Sequence, residues 1–151
     1  MKPKIDGYAT HLPVLAWAAR QSRFHIPLEY GCGFYSTAVI QALRGESVEP
    51  LTDWYKTIKS LYPRVILESD WTPKKQYSFI FVDSSPEETR YEFVKKHQHL
   101  STLWILHDAV PEWEHVYGYE RLKRLFPHSL VVGMEPQTLI LSQDKITYEG
   151  I

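Results

Sequence analysis

The sequence predicts an α/β domain built on a mostly parallel sheet. Three observations carry this. Short apolar runs alternate with helical patterns along the whole chain, which is the element order of a parallel sheet wrapped by helices. Two of the runs, Phe79-Ile80-Phe81-Val82 and Leu103-Trp104-Ile105-Leu106, are apolar throughout, as in strands covered on both faces. Glycine, acidic and other polar residues recur directly after the runs, where ligands of such sheets bind.

Each element has its own signal. Residues 11–20 read as a helix because Leu12, Leu15, Ala16 and Ala19 share one face, with Pro13 tolerated in the first turn. Residues 26–30 form an apolar run stopped by Gly31 and Gly33, and residues 36–43 return to helical spacing. A second strand over 46–49 stops at Pro50. Residues 52–61 are helical, with Thr52 as N-cap and Trp54, Ile58 and Leu61 on one stripe. A third strand over 64–69 contains the β-branched pair Val65 and Ile66, and a fourth over 77–82 ends at Asp83. Pro86 at a first helical position opens a helix over 86–97. A fifth strand over 101–106 ends at His107-Asp108, and a helix over 112–125 continues through Gly118. Strands over 129–132 and 138–141, joined by five residues, form an antiparallel pair.

Composition bounds the rest. With 151 residues, 44% of them hydrophobic, the chain makes one domain with a real core. Seventeen basic against 18 acidic residues imply no surface that tracks nucleic-acid backbone. The lone Cys32 excludes an internal disulfide and a multi-cysteine zinc site. No apolar run approaches the ~20 residues that span a bilayer. Residues 1–7 lack the apolar core of a signal peptide, so a cytoplasmic location is expected.

The most informative stretch runs from Leu28 to Thr37, an apolar strand followed by Gly31-Cys32-Gly33 and a helix start. Glycine permits positive φ and lets a ligand approach the backbone. Helix-start amides, with Ser36 and Thr37 beside them, suit a carboxylate. A tight turn without ligand reads equally well. Tyr35 stands where a dinucleotide loop would keep a small residue, which argues against a pyrophosphate site of the NAD type. Glu49 ends the next strand at the place of a ribose-binding acid, the alternative being a solvated loop acid before Pro50.

Pro27-Leu28-Glu29-Tyr30-Gly31-Cys32-Gly33 resembles the first motif of class I S-adenosylmethionine-dependent methyltransferases, and the resemblance extends over nearly the whole chain. It implies a single three-layer Rossmann-like domain whose seven-stranded sheet ends in an antiparallel strand. It also implies S-adenosylmethionine as cofactor, leaving as S-adenosylhomocysteine. The matching cofactor-binding positions are Glu29, Gly31, Gly33, Tyr35, Ser36 and Thr37, with Glu49 on the ribose, Asp70 near the adenine amino group, Leu51 or Trp71 against the adenine ring, and Asp83 after the fourth strand.

Methyl transfer to oxygen or nitrogen needs alignment, and a base if the nucleophile starts protonated. Asp83, His107 and Asp108, at the ends of neighbouring central strands, are the catalytic candidates. Bland alternatives are a strand-end histidine bonded to backbone and, for Asp108, a cap for the turn before Pro111. Asp83 and Asp108 also resemble two metal-binding carboxylates of the catechol O-methyltransferase group, but Ala109 replaces the expected Asn, so a divalent metal is not favoured. Arg90 is read as an Asp-paired or surface arginine ahead of a substrate-anion contact. Trp113, His115, Tyr117 and Tyr119 form a pocket wall or lid, or dock their helix on the sheet. The link from Ser69 to Tyr77 is too short for a crossover helix. The sheet face near it is therefore expected to be thin and covered by a second copy in a homo-oligomer, the alternative being that the third strand lies elsewhere than 64–69. The site would be open, or completed by residues 1–20 or by a second subunit. The expectation is a methyltransferase acting on a small-molecule acceptor, with no nucleic acid and no membrane. The alternative is a non-catalytic S-adenosylmethionine- or nucleotide-binding protein of the same fold.

Overall fold

The computed structural model describes residues 7–21 and 24–150, so of the segment 1–20 weighed above only residues 1–6 lie outside the described residues. In chain order the regular elements are α1 (Leu12–Gln21), β1 (Leu28–Tyr30), α2 (Ser36–Ala42), β2 (Glu46–Glu49), α3 (Thr52–Leu61), β3 (Ile66–Leu67), β4 (Ile80–Val82), α4 (Thr89–His97), β5 (Leu103–Leu106), α5 (Glu114–Tyr117), α6 (Tyr119–Lys123), β6 (His128–Val132) and β7 (Thr138–Ser142). The strands form one sheet in the order β3-β2-β1-β4-β5-β7-β6. All neighbours pair in parallel except β7, which runs antiparallel to both β5 and β6.

The two-residue alternation of strands sorts the core onto two faces. Leu28, Tyr30, Ile80, Val82, Trp104 and Leu106 face α4, α5 and α6, where Phe93, Val94, Tyr117 and Leu122 meet them. Phe81, Leu103, Ile105 and Ile140 face the other way, onto Val14, Leu15 and Ala18 of α1 and Ile40 of α2. The apolar runs of β4 and β5 are therefore covered on both sides, as their composition implies.

Several local expectations change. Helix α1 buries Val14, Leu15, Trp17 and Ala18 rather than the face of Leu12, Ala16 and Ala19. Its orientation follows Trp17, whose indole N–H donates to the Thr147 carbonyl and whose ring meets Tyr148 edge-on. Thr52 is the first helical residue of α3 and caps nothing. The Glu49 carboxylate holds the Leu51 amide there instead. Pro86 follows a cis peptide and stands outside α4, which begins at Thr89. The helix expected through Gly118 is split there, because Gly118 takes a left-handed φ of 66° between α5 and α6.

The link from β3 to β4 has a single 3₁₀ turn, Glu68–Asp70, and no crossover helix. Glu46, at the start of β2, ties it down. Its carboxylate accepts from the Tyr77 hydroxyl (2.6 Å) and the Trp71 indole (3.3 Å) and pairs with Lys74 (3.1 Å). The face expected to be thin is filled from within the chain: Phe93 stacks on Tyr30 at 3.6 Å, and Trp71 packs against Phe93 and His97.

Candidate functional site

The end of β1 and the end of β2 build one half of the site. The Gly31 amide donates to the Val48 carbonyl, and its φ is 89°. A Cβ there would lie 2.3 Å from the Ser84 Cα, so Gly31 is required by the close approach of the β4 loop rather than by a ligand. Gly33 is different. A Cβ there would meet only the Ser36 hydroxyl, at 3.2 Å, and the residue faces a cavity.

Beneath this loop two acids are buried. The Gly33 amide donates to the Thr37 hydroxyl (3.1 Å), which donates to Glu29 (2.8 Å). Burial pushes the Glu29 carboxyl up to about 7, against the opposing pull of the Ser36, Thr37 and Ser47 hydroxyls. Glu49 accepts from the Cys32 and Leu51 amides, each at 2.8 Å, and burial raises its pKa also. Both acids hold the loop in shape. The Trp54 indole donates to the Cys32 carbonyl (2.7 Å), and Phe34 packs against Trp54 edge-on. These two aromatics form a wall that sequence reasoning missed, since Trp54 read only as part of a helix stripe.

The ends of β4 and β5 build the other half. Asp108 takes a left-handed φ of 58°, a region that Asp tolerates better than most residues. Nδ1 of His107 lies 3.3 Å from Asp83 Oδ2 and 3.3 Å from Asp108 Oδ1. Arg90, from the first turn of α4, lies 3.0 Å from Asp83 Oδ1 and 3.5 Å from Asp108 Oδ2. The His107 Nε2 meets the Thr10 hydroxyl at 3.1 Å, and that hydroxyl donates to the Pro136 carbonyl. His107 thus has both ring nitrogens engaged and is buried, while Asp83 and Asp108 keep 24% and 27% of their side-chain surfaces exposed.

Between the halves lies a cavity of about 770 Å³, lined by Gly33, Ser36 and Trp54 on one side and by Asp83, His107 and Asp108 on the other. That size is within the ~300–1,000 Å³ usual for small-molecule sites. Tyr35 lines it too. Glu29, Thr37 and Glu49 lie buried and are not among its lining residues. Asp70 sits exposed in the 3₁₀ turn and does not line the cavity. Trp71 is turned toward Glu46, at the start of β2, and does not line the cavity. Of the aromatics after Asp108, Tyr117 and Tyr119 are buried over Arg90, while Trp113 is exposed.

His11 also lines the cavity, and the sequence marked it only as a helix start. It is buried, tilted on Phe81 and edge-on to His107 at 4.6 Å, and neither ring nitrogen has a hydrogen-bond partner. Burial and the neighbouring His107 lower its pKa to about 4, against a smaller opposing pull from Asp83, so its imidazole is neutral at pH 7.

No protein-family model and no curated protein sequence matches the chain. Solved structures do. The O-methyltransferase from Bacillus cereus, in complex with S-adenosylhomocysteine, is 16% identical, with a TM-score of 0.57 over 94% of this chain and 82% of that one. The O-methyltransferase TomG from Streptomyces achromogenes, in complex with S-adenosylmethionine, is 17% identical, with a TM-score of 0.56 over 91% and 79%. The methyltransferase PaMTH1 from Podospora anserina is 12% identical, with a TM-score of 0.57 over 96% and 80%. With its strand order, its antiparallel β7 and its glycine loop after β1, the chain has the fold of class I S-adenosylmethionine-dependent methyltransferases.

Proposed function

We propose that the protein binds S-adenosylmethionine over the Gly33 turn and methylates an oxygen or nitrogen of a small-molecule acceptor. One observation carries the reading: a single cavity joins the open glycine of the β1 loop to the partly exposed carboxylates after β4 and β5. Absence of a side chain at Gly33, the Ser36 hydroxyl and the Phe34–Trp54 wall suit a flat, polar ligand. When bound, the cofactor supplies a methyl group on a sulfonium sulfur. The chain's part is to align the acceptor and take its proton. Asp83 and Asp108 line the cavity with about a quarter of each side chain exposed and are the proton acceptors in this reading. His107, engaged at both nitrogens, orients the two carboxylates. Glu49 reaches a ribose only by sharing oxygens that already accept two amides, and Glu29 acts through Thr37 and the loop. Near-balanced charge favours a small acceptor over nucleic acid. No described helix is long and apolar enough to cross a membrane.

The engagement of His107 and Glu49 within the protein favours one second reading, a non-catalytic binder of the same cofactor. Calorimetry with S-adenosylmethionine and S-adenosylhomocysteine tests what both readings share. Both bind wild type in the expected outcome, and absence of binding at millimolar ligand sinks both. Asp83→Asn and Asp108→Asn then separate them. A methyltransferase keeps cofactor binding and loses turnover on its acceptor, and a binder shows no turnover with any acceptor.

A further inference from the structure

The Asp83 and Asp108 carboxylates and the His107 ring lie with ligand atoms within 4.8 Å of one another, the spacing of three ligands around one cation. We infer that Arg90 takes the place of that cation, so that the site operates without a divalent metal.

The geometry is a closed ring of four groups. The Arg90 Nη2 faces one oxygen of each aspartate, at 3.0 and 3.5 Å, and the His107 Nδ1 faces the other oxygen of each, at 3.3 Å. Every carboxylate oxygen of the cluster therefore already meets a protein nitrogen. The His107 Nδ1 stands between two carboxylate oxygens, and a metal ligated by it would have to displace both contacts. Arg90 is committed elsewhere as well. Its Nε donates to the Ser84 carbonyl at 2.9 Å, and its Nη1 to the His107 carbonyl and the Tyr119 hydroxyl, both at 3.1 Å. The Tyr117 ring covers the guanidinium at 4.5 Å. With the Nη2 donation to Asp83, four of the five N–H donors are hydrogen-bonded, the Nη2 also lies 3.5 Å from Asp108, and the side chain is buried. It cannot swing aside to admit a metal without breaking four hydrogen bonds, three of them to buried groups. A cation bound by the same carboxylates would sit beside a fixed positive charge, where Coulomb repulsion opposes it.

On the methyl-transfer reading, a consequence follows for the acceptor. With no metal to chelate it, the acceptor does not need two adjacent oxygens. The metal statement itself stands apart from that reading, and its test uses no nucleotide. Wild type is titrated with Mg²⁺ and Mn²⁺ by calorimetry and by thermal melting. The expected result is no saturable binding at millimolar metal and an unchanged melting temperature. Arg90→Met leaves two carboxylates without their cation, and Mn²⁺ then binds about tenfold more tightly or better and restores part of the lost melting temperature. Asp83→Asn added to Arg90→Met removes that binding. Saturable Mg²⁺ or Mn²⁺ binding to wild type that Asp108→Asn abolishes overturns the inference. So does a folded Arg90→Met that gains no affinity for Mn²⁺. If Arg90→Met does not fold, the wild-type titration decides.

Discussion

Two pairs of acids stand in or directly after the parallel strands, and they are held in opposite ways. Glu29, within β1, and Glu49, the last residue of β2, are buried and bonded to a hydroxyl and to two amides respectively. Burial raises the pKa of both. Asp83 and Asp108, after β4 and β5, share a guanidinium and an imidazole and stay a quarter exposed at the cavity edge. Neutral partners let an acid shape a loop while its proton comes and goes. Ionic partners fix where a carboxylate points while leaving part of it exposed at the cavity. All four match motif positions, and only the tertiary contacts separate the acids that build the loop from those that face a ligand.

Breaking the ionic half is expected to cost most. Arg90→Met leaves two carboxylates and the Tyr119 hydroxyl without their shared donor, and chemical denaturation is expected to read a loss of about 3–5 kcal/mol. An effect below about 1 kcal/mol, the usual worth of an exposed pair, would mean that Arg90 is a surface partner only.

The next test sets Glu29 against His11. The Glu29 carboxyl is raised from 4.5 to about 7, so the folded state holds a proton that the unfolded state releases, and this contribution falls as pH rises from 4.5 through 7. His11 is lowered from 6.5 to about 4, so the unfolded state takes up a proton first, and this contribution is present above 6.5 and is lost as pH falls through 4. Each is on the order of 3 kcal/mol at about 1.4 kcal/mol per unit, and the two slopes oppose each other in wild type. Melting curves across this range should therefore diverge. Relative to wild type, Glu29→Gln gains stability with rising pH and His11→Gln loses it. Parallel curves for both variants would show that neither group titrates as its burial implies.

Gly31→Ala comes third. Its Cβ would overlap the Ser84 backbone at a φ of 89°, and a loss of about 2 kcal/mol is expected in denaturant melts. Gly33→Val is the smallest in stability, within about 1 kcal/mol, because only the Ser36 hydroxyl stands near. It should weaken S-adenosylhomocysteine binding at least about tenfold by filling the cavity. If Gly33→Val binds as wild type does, the cofactor lies elsewhere. The pair thus separates a glycine that the fold needs from one that a ligand would need.

Much of this was legible in the residues. The apolar runs of β4 and β5, the short antiparallel close at β6 and β7, the span of α3 and the absence of a crossover helix after β3 all follow from local pattern and chain length. So does the arrival of Asp83, His107 and Asp108 at one place, because parallel strands end on one edge of the sheet. Helix ends and faces were less legible. Gly118 breaks its helix because of one left-handed residue, and α1 faces where Trp17 meets a tail 130 residues away. The sequence by itself determined the fold class and the edge where chemistry can occur, since periodicity and strand order are local properties. Tertiary structure alone decided what each group is bonded to there. It turned Trp71 away from the site, brought unpaired His11 into it and closed Arg90 around the two aspartates, because those contacts join residues far apart in the chain and depend on distances that no local pattern encodes.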